Sequence, residues 1–300
     1  EDVPAGFLPA PGRLAHLAFP EGVRADSGVR TGDEISPHYD PMIAKVIVHG
    51  PTREVALQRL VRGLAETQVA GTVTNLGFLG ALARHEGFAK GEVDTGLIAR
   101  DIEALTAVEP VSVQAIAQAG LVALGLDRAT GWETGFSLWA PLNRQVVLGH
   151  DGQEIALVLR SLGPDEATVV VDGTDVQARR VGSRWWFDGK PGAEVFTDGA
   201  SVTLFGAQSR KFDIIDPLSR DAAAMAGDDL TLAPMPGRVV SVHVHAGQQV
   251  SAGDRLAVLE AMKMEHTMVA ARDGVIAEVL VQEADQVEAG APLVRLEEEA

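Results

Sequence analysis

The sequence predicts a multidomain α+β chain in three parts: a mixed α+β first part, a middle part made of a helix and an antiparallel β-barrel, and an all-β flattened barrel at the C-terminal end. Three observations carry this reading. Strand and helix patterns alternate over residues 1–105, Asp-Gly pairs punctuate β-rich runs in 106–228, and residues 233–297 contain an internal duplication at an offset of 37. Three hundred residues suffice for two or three domains at about 100–150 residues each.

In the first part, Ala44-Lys45-Val46-Ile47-Val48 is a short β-branched run bounded by His49-Gly50-Pro51, as a strand requires. Thr52 then offers an N-cap and Glu54 a favourable first-turn charge for a helix through about Thr67. Ala56, Leu57, Leu60, Val61 and Leu64 fall at helical spacing. A second helix is expected from Asn75, with Leu76, Leu79 and Leu82 on one face.

The middle part opens on a long apolar segment, Val111 to Leu126, which reads as a buried helix. The turns that follow are Asp151-Gly152, Asp172-Gly173, Gly182-Ser183, Asp188-Gly189 and Asp198-Gly199. Asp-Gly between β-rich runs signals a hairpin, and such regular spacing suggests a small barrel or sandwich. All four tryptophans, Trp132, Trp139, Trp185 and Trp186, lie here, and core packing or a docking surface accounts for them more simply than a ligand pocket. The small-residue run Ala222 to Asp229 reads as a linker.

In the duplication, Gly237 falls on Gly274, Val242 on Val279, Val250 on Val287, Gly253 on Gly290, Leu256 on Leu293 and Leu259 on Leu296. Two copies predict two similar half-sheets packed face to face about a pseudo-two-fold axis. They are joined at Glu260 to Thr267, a short hairpin that places Lys263 at an exposed tip between Met262 and Met264. Methionines gain little from exposure, which sets this lysine apart from an ordinary solvated one.

Composition narrows the function classes. A net charge of −17 argues against nucleic-acid binding, which needs clustered Lys and Arg. No apolar run approaches the roughly 20 residues of a membrane span, and no basic, then apolar, leader opens the chain. The start at Glu1-Asp2-Val3-Pro4, without an initiator methionine, suggests a fragment or a processed product. With no cysteine there is neither a disulfide framework nor a thiolate metal site. His243 and His245 share a strand face but lack converging partners, so they read as surface residues and no metal is expected.

Ala261-Met262-Lys263-Met264 in a duplicated β-unit, preceded by Ala233-Pro234-Met235-Pro236-Gly237, closely resembles the biotin carboxyl carrier domain of biotin-dependent carboxylases. The related lipoyl carriers place their lysine in an Asp-Lys-Ala type turn, which this sequence lacks. The resemblance implies biotin joined by an amide to Lys263, with Met262 and Met264 read by a biotin protein ligase. The biotin ureido nitrogen would carry a carboxyl group between two active sites, and tethering would raise its effective concentration at both.

The first part adds a second resemblance. Phe7-Leu8-Pro9-Ala10-Pro11-Gly12, His38-Tyr39-Asp40-Pro41-Met42-Ile43-Ala44-Lys45 and Val73-Thr74-Asn75-Leu76-Gly77-Phe78-Leu79 look like the end of a biotin carboxylase domain. Residues 1–105 then correspond to the C-terminal part of that domain and 106–228 to a middle domain, plus linker, that docks on a carboxyltransferase β subunit. Residues 229–300 correspond to the carrier domain. That order is the one found in the α subunits of acyl-CoA carboxylases. The ATP, Mg²⁺ and bicarbonate used by the family are handled by an ATP-grasp region that would precede this chain, so the segment alone is expected to carry biotin without carboxylating it. Asp40 and Tyr39 are the candidates for lining the carboxylase site, unless Asp40 merely stabilises a strand-entry turn.

Met264-Glu265-His266-Thr267, His38 and the short middle domain favour 3-methylcrotonyl-CoA, in leucine degradation, as the substrate. Propionyl-, acetyl- and geranyl-CoA are the alternatives, as is a stand-alone biotin carrier module. The family setting implies the cytoplasm of a bacterium or the mitochondrial matrix of a eukaryote.

Overall fold

The computed structural model describes residues 1–297 except 37–39, 129–130, 132, 135, 137, 217–229, 235, 262–263 and 289. The expected linker at 222–229, along with His38, Tyr39, Trp132, Met262 and Lys263, therefore lies outside the described residues.

The first part combines short ribbons with helices. Its elements run β1 (Gly12–Arg13), β2 (His16–Ala18), β3 (Arg24–Ser27), β4 (Glu34–Ile35), β5 (Ala44–Ile47), α1 (Arg53–Glu66) and β6 (Gln68–Ala70), then α2 (Leu76–Arg84), α3 (Glu86–Lys90), α4 (Leu97–Arg100) and α5 (Ile102–Thr106). The strands pair antiparallel as β1 with β4, β2 with β6 and β3 with β5. Thr52 caps α1 as its position predicts, its hydroxyl accepting from the Val55 N–H at 3.3 Å. The apolar face of α2 puts Leu76, Leu79 and Leu82 against a cavity described below.

The middle part is a half-barrel around a helix. Helix α6 (Val113–Ala123) starts at Ser112, whose hydroxyl accepts from the Ala115 N–H, and ends before Gly125, which takes the left-handed conformation (φ 69). Strands β7 (Asn143–His150), β8 (Gln153–Gly163), β9 (Glu166–Val171), β10 (Thr174–Val181), β11 (Arg184–Phe187), β12 (Lys190–Pro191), β13 (Val195–Thr197), β14 (Ser201–Leu204) and β15 (Arg210–Ile215) form one antiparallel sheet. Its order is β12-β11-β10-β9-β8-β7-β15-β14-β13.

Three of the Asp-Gly pairs make the expected two-residue turns. Asp151-Gly152, Asp172-Gly173 and Asp188-Gly189 all have positive φ at both residues, which matches the right-handed twist of the strands they join. Alternate residues point inward. Leu148, Leu157, Leu159, Val169, Val171, Val176, Val202 and Phe212 pack with Ile116, Ala117 and Leu121 of α6 in one buried core.

The sheet has two edges, β12 and β13, and α6 helps to bridge them. The buried Gln118 donates from Nε2 to Ala193 O at 2.8 Å and accepts from Ala193 N–H at 2.9 Å, so its amide takes the place of a strand neighbour for the connection between the edges. Gln118→Leu keeps the volume but removes both bonds, and is expected to lower unfolding stability by about 1–3 kcal/mol in a urea titration.

The C-terminal part shows the duplication in three dimensions. One sheet has the order β16 (Leu230–Leu232), β23 (Pro292–Leu296), β21 (Gly274–Val279), β18 (Gln249–Val250). The other has β20 (Met264–Val269), β19 (Arg255–Ala261), β17 (Gly237–Val242), β22 (Gln286–Val287). The offset of 37 maps each strand of one sheet onto its counterpart in the other. Buried pairs follow the same rule: Val239 with Ile276, Leu256 with Leu293, Leu259 with Leu296, Val250 with Val287.

Even the hydrogen bonds repeat. Gly253 N–H donates to Ala270 O and Gly290 N–H to Ala233 O, both at 2.8 Å. Gly247 N–H donates to Ile276 O at 2.7 Å, and its counterpart Ala284 N–H to Val239 O at 2.8 Å. Gly247 sits at φ 83, and the fold forces Ala284 to φ 76, where an L side chain is strained. Ala284→Gly should relieve that strain. After the extra chain entropy of glycine in the unfolded state, the expected gain is about 0.5–1 kcal/mol, read as a raised melting temperature.

Candidate biotin-attachment site

Strands β19 and β20 form a hairpin whose register runs from Val258↔Thr267 through Leu259↔His266 and Glu260↔Glu265 to Ala261↔Met264. The chain therefore passes from one strand to the other through Met262 and Lys263 alone, two residues that lie outside the described ones. The hairpin stands on a fixed base. Leu256 and Leu259 of β19 are fully buried in the core of the two-sheet domain, and β17 pairs with the inner edge of β19. Pseudosymmetry relates this tip to the place where the chain enters at Leu230 and leaves beyond Leu296.

The hairpin fits an amide-linked group. Acylation needs a primary amine that an enzyme can reach, and Lys263 is the one lysine between residues 231 and 296. It falls in the two-residue link of a hairpin, with exposed Glu260 one residue before the end of β19. When bound, biotin supplies the ureido nitrogen that accepts a carboxyl group. For biotin joined here, Lys263 would supply the amine and the paired strands β19 and β20 the base beneath it.

Asp40 lies elsewhere. It is exposed at the mouth of an apolar cavity of about 710 Å³ in the first part, together with Pro41, Met42 and Ile43. Leu60, Leu64, Leu76, Leu79, Leu82 and Phe88 also line it, and among the described residues none of the lining comes from the hairpin domain. The structure thus does not bring Asp40 together with the hairpin. His243 and His245 are exposed as expected, and His243 Nε2 lies 3.0 Å from Ser241 Oγ.

The tryptophans divide. Trp185 is buried in the half-barrel core, whereas Trp139 is 96% exposed in the connection between α6 and β7. Phe136, Leu138 and Leu142 of the same connection are exposed too. Four large apolar side chains are thus exposed within seven residues of one another, closer in sequence than scattered surface residues usually fall. The sequence held the signal, a non-periodic apolar stretch after a helix, but identity alone did not separate Trp139 from Trp185.

Comparison with known proteins agrees with these two ends of the fold. Residues 1–100 match the biotin carboxylase C-terminal domain, and residues 231–296 match the domain described as biotin-requiring enzyme. These two stretches are thus domains of the kinds found in biotin-dependent carboxylases.

Among such carboxylases, the chain is similar to α subunits. It is 32% identical to the mitochondrial methylcrotonoyl-CoA carboxylase subunit alpha of Rattus norvegicus, over 100% of this chain and 46% of the rat protein. It is 31% identical to the Dictyostelium discoideum protein of the same name, over 91% of this chain and 44% of that protein. It is also 30% identical to the propionyl-CoA carboxylase alpha chain of Ruegeria pomeroyi, over 93% of this chain and 47% of that one. The chain spans less than half the length of each of these relatives. No helix among the described residues is long and apolar enough to cross a membrane.

Proposed function

We propose that this chain is the biotin-carrying part of an acyl-CoA carboxylase α subunit, with biotin attached at Lys263 and Met262 and Met264 read by the biotin protein ligase. The observation that carries the proposal is the β19–β20 hairpin, which isolates the one lysine of a duplicated, biotin-type domain in a two-residue link. Residues 1–105 are the end of a carboxylase domain, with Asp40 near the carboxylase site. Residues 106–228 dock on a carboxyltransferase β subunit, and 229–300 form the carrier. The exposed Phe136, Leu138, Trp139 and Leu142 support the docking role, since such a surface is stabilised when a partner covers it.

The acyl group is 3-methylcrotonyl-CoA on this reading. Propionyl-CoA is the second reading, favoured by the similarity to the Ruegeria propionyl-CoA carboxylase chain. The test supplies biotinylated chain to a biotin carboxylase with ATP, Mg²⁺ and labelled bicarbonate, then adds the carboxyltransferase subunit and one acyl-CoA at a time. Label should appear on the chain first and then pass to 3-methylcrotonyl-CoA faster than to propionyl-CoA. The opposite preference would overturn the substrate assignment, and a chain that never takes label would overturn the carrier role.

A further inference from the structure

The first part and the half-barrel meet at a small but well-bonded junction. Just after α5, the Gln208 side chain donates from Nε2 to Ala107 O at 3.0 Å and accepts from Glu109 N–H at 3.2 Å. One amide thus pairs with the connecting chain as a neighbouring strand would. Arg210 adds a bond to Glu109 O and one to Gln208 Oε1 at 2.7 Å, which fixes the amide in place.

A second contact lies on β2. The His16 ring is stacked between Phe196 of β13 and Phe205 just after β14, with centroids 5.2 and 5.4 Å away and interplanar angles of 27° and 30°. Gln68 Oε1 lies 2.9 Å from His16 Nε2 and sets the ring from behind. Phe205 is buried, so this stack is an interior contact. A side chain at Gly77, the second residue of α2, would touch Gln208 and Ala207, so the two parts approach closely here as well.

We propose that residues 1–109 and the half-barrel move as one body, clamped by Gln208 across the connecting chain and by His16 between Phe196 and Phe205. The inference does not depend on the carrier reading. Residues 1–109 and the half-barrel would then present the carboxylase-like part and the half-barrel surface in one fixed arrangement.

The absence of cysteine makes the test direct, because introduced cysteines carry the only labels. Spin labels at Gln58→Cys on α1 and Asp175→Cys on β10, both exposed sites, report the distance between the two parts in the 300-residue chain. The clamped chain should give one narrow distance distribution. Adding His16→Ala and Gln208→Ala should broaden it at least twofold, with the circular-dichroism spectrum unchanged. If the double variant loses its fold, Gln208→Ala alone carries the same comparison. A broad distribution before any clamp residue is changed, or an unchanged narrow one afterwards, would overturn the proposal.

Discussion

Lys263→Arg is expected to abolish biotin attachment altogether while leaving the fold intact. Arginine keeps the length and charge of the side chain but offers no amine that forms a stable amide under the ligase chemistry. The substitution changes none of the described core residues, so the expected change in stability is that of a surface substitution, about 0.5 kcal/mol or less. A streptavidin gel shift reads the first expectation and calorimetry the second. Residual biotin on the arginine variant would show that another amine is used. The chain has only four other lysines, at 45, 90, 190 and 211, and all lie outside the duplicated domain.

The largest expected effect on stability is at Phe212. Its ring is fully buried on β15, stacks on His150 at 4.8 Å, and belongs to the core that surrounds α6. Strand β15 is also the link through which β13 and β14 join β7. Phe212→Ala removes a large apolar volume from a site whose neighbours are held by the sheet and by α6, so the cavity closes only in part. A loss of about 3–5 kcal/mol is expected in a denaturant titration, with the half-barrel unfolding first. A loss below 1 kcal/mol would mean that the ring is not packed as described.

The features legible in the sequence were those set by short-range rules. Each Asp-Gly pair that closes a two-residue turn states its own geometry, because both residues must accept positive φ. Thr52 marked a helix start that the structure keeps, and the apolar run from Val111 to Leu126 marked a helix observed over Val113–Ala123. The duplication was visible because glycines and buried valines recur at a fixed offset, and the two sheets follow it strand by strand.

What stayed hidden depends on contacts between distant residues. The half-barrel's shape follows from β15 joining β7, with Ile215 opposite Val147, a separation no local pattern encodes. The roles of Gln118 and Gln208 were equally silent, since an isolated glutamine gives no sign that its amide will replace a backbone neighbour. Asp40 was legible only as part of a motif, and the cavity beside it is assembled by α1, α2, α3 and β5.

The most direct test of the carrier account is the mass of the chain after co-expression with a biotin protein ligase, followed by peptide mapping. One biotinyl group per chain, found on the peptide that contains Lys263, is the predicted result. An unmodified chain under those conditions, or biotin mapped to a lysine outside residues 231–296, would contradict it.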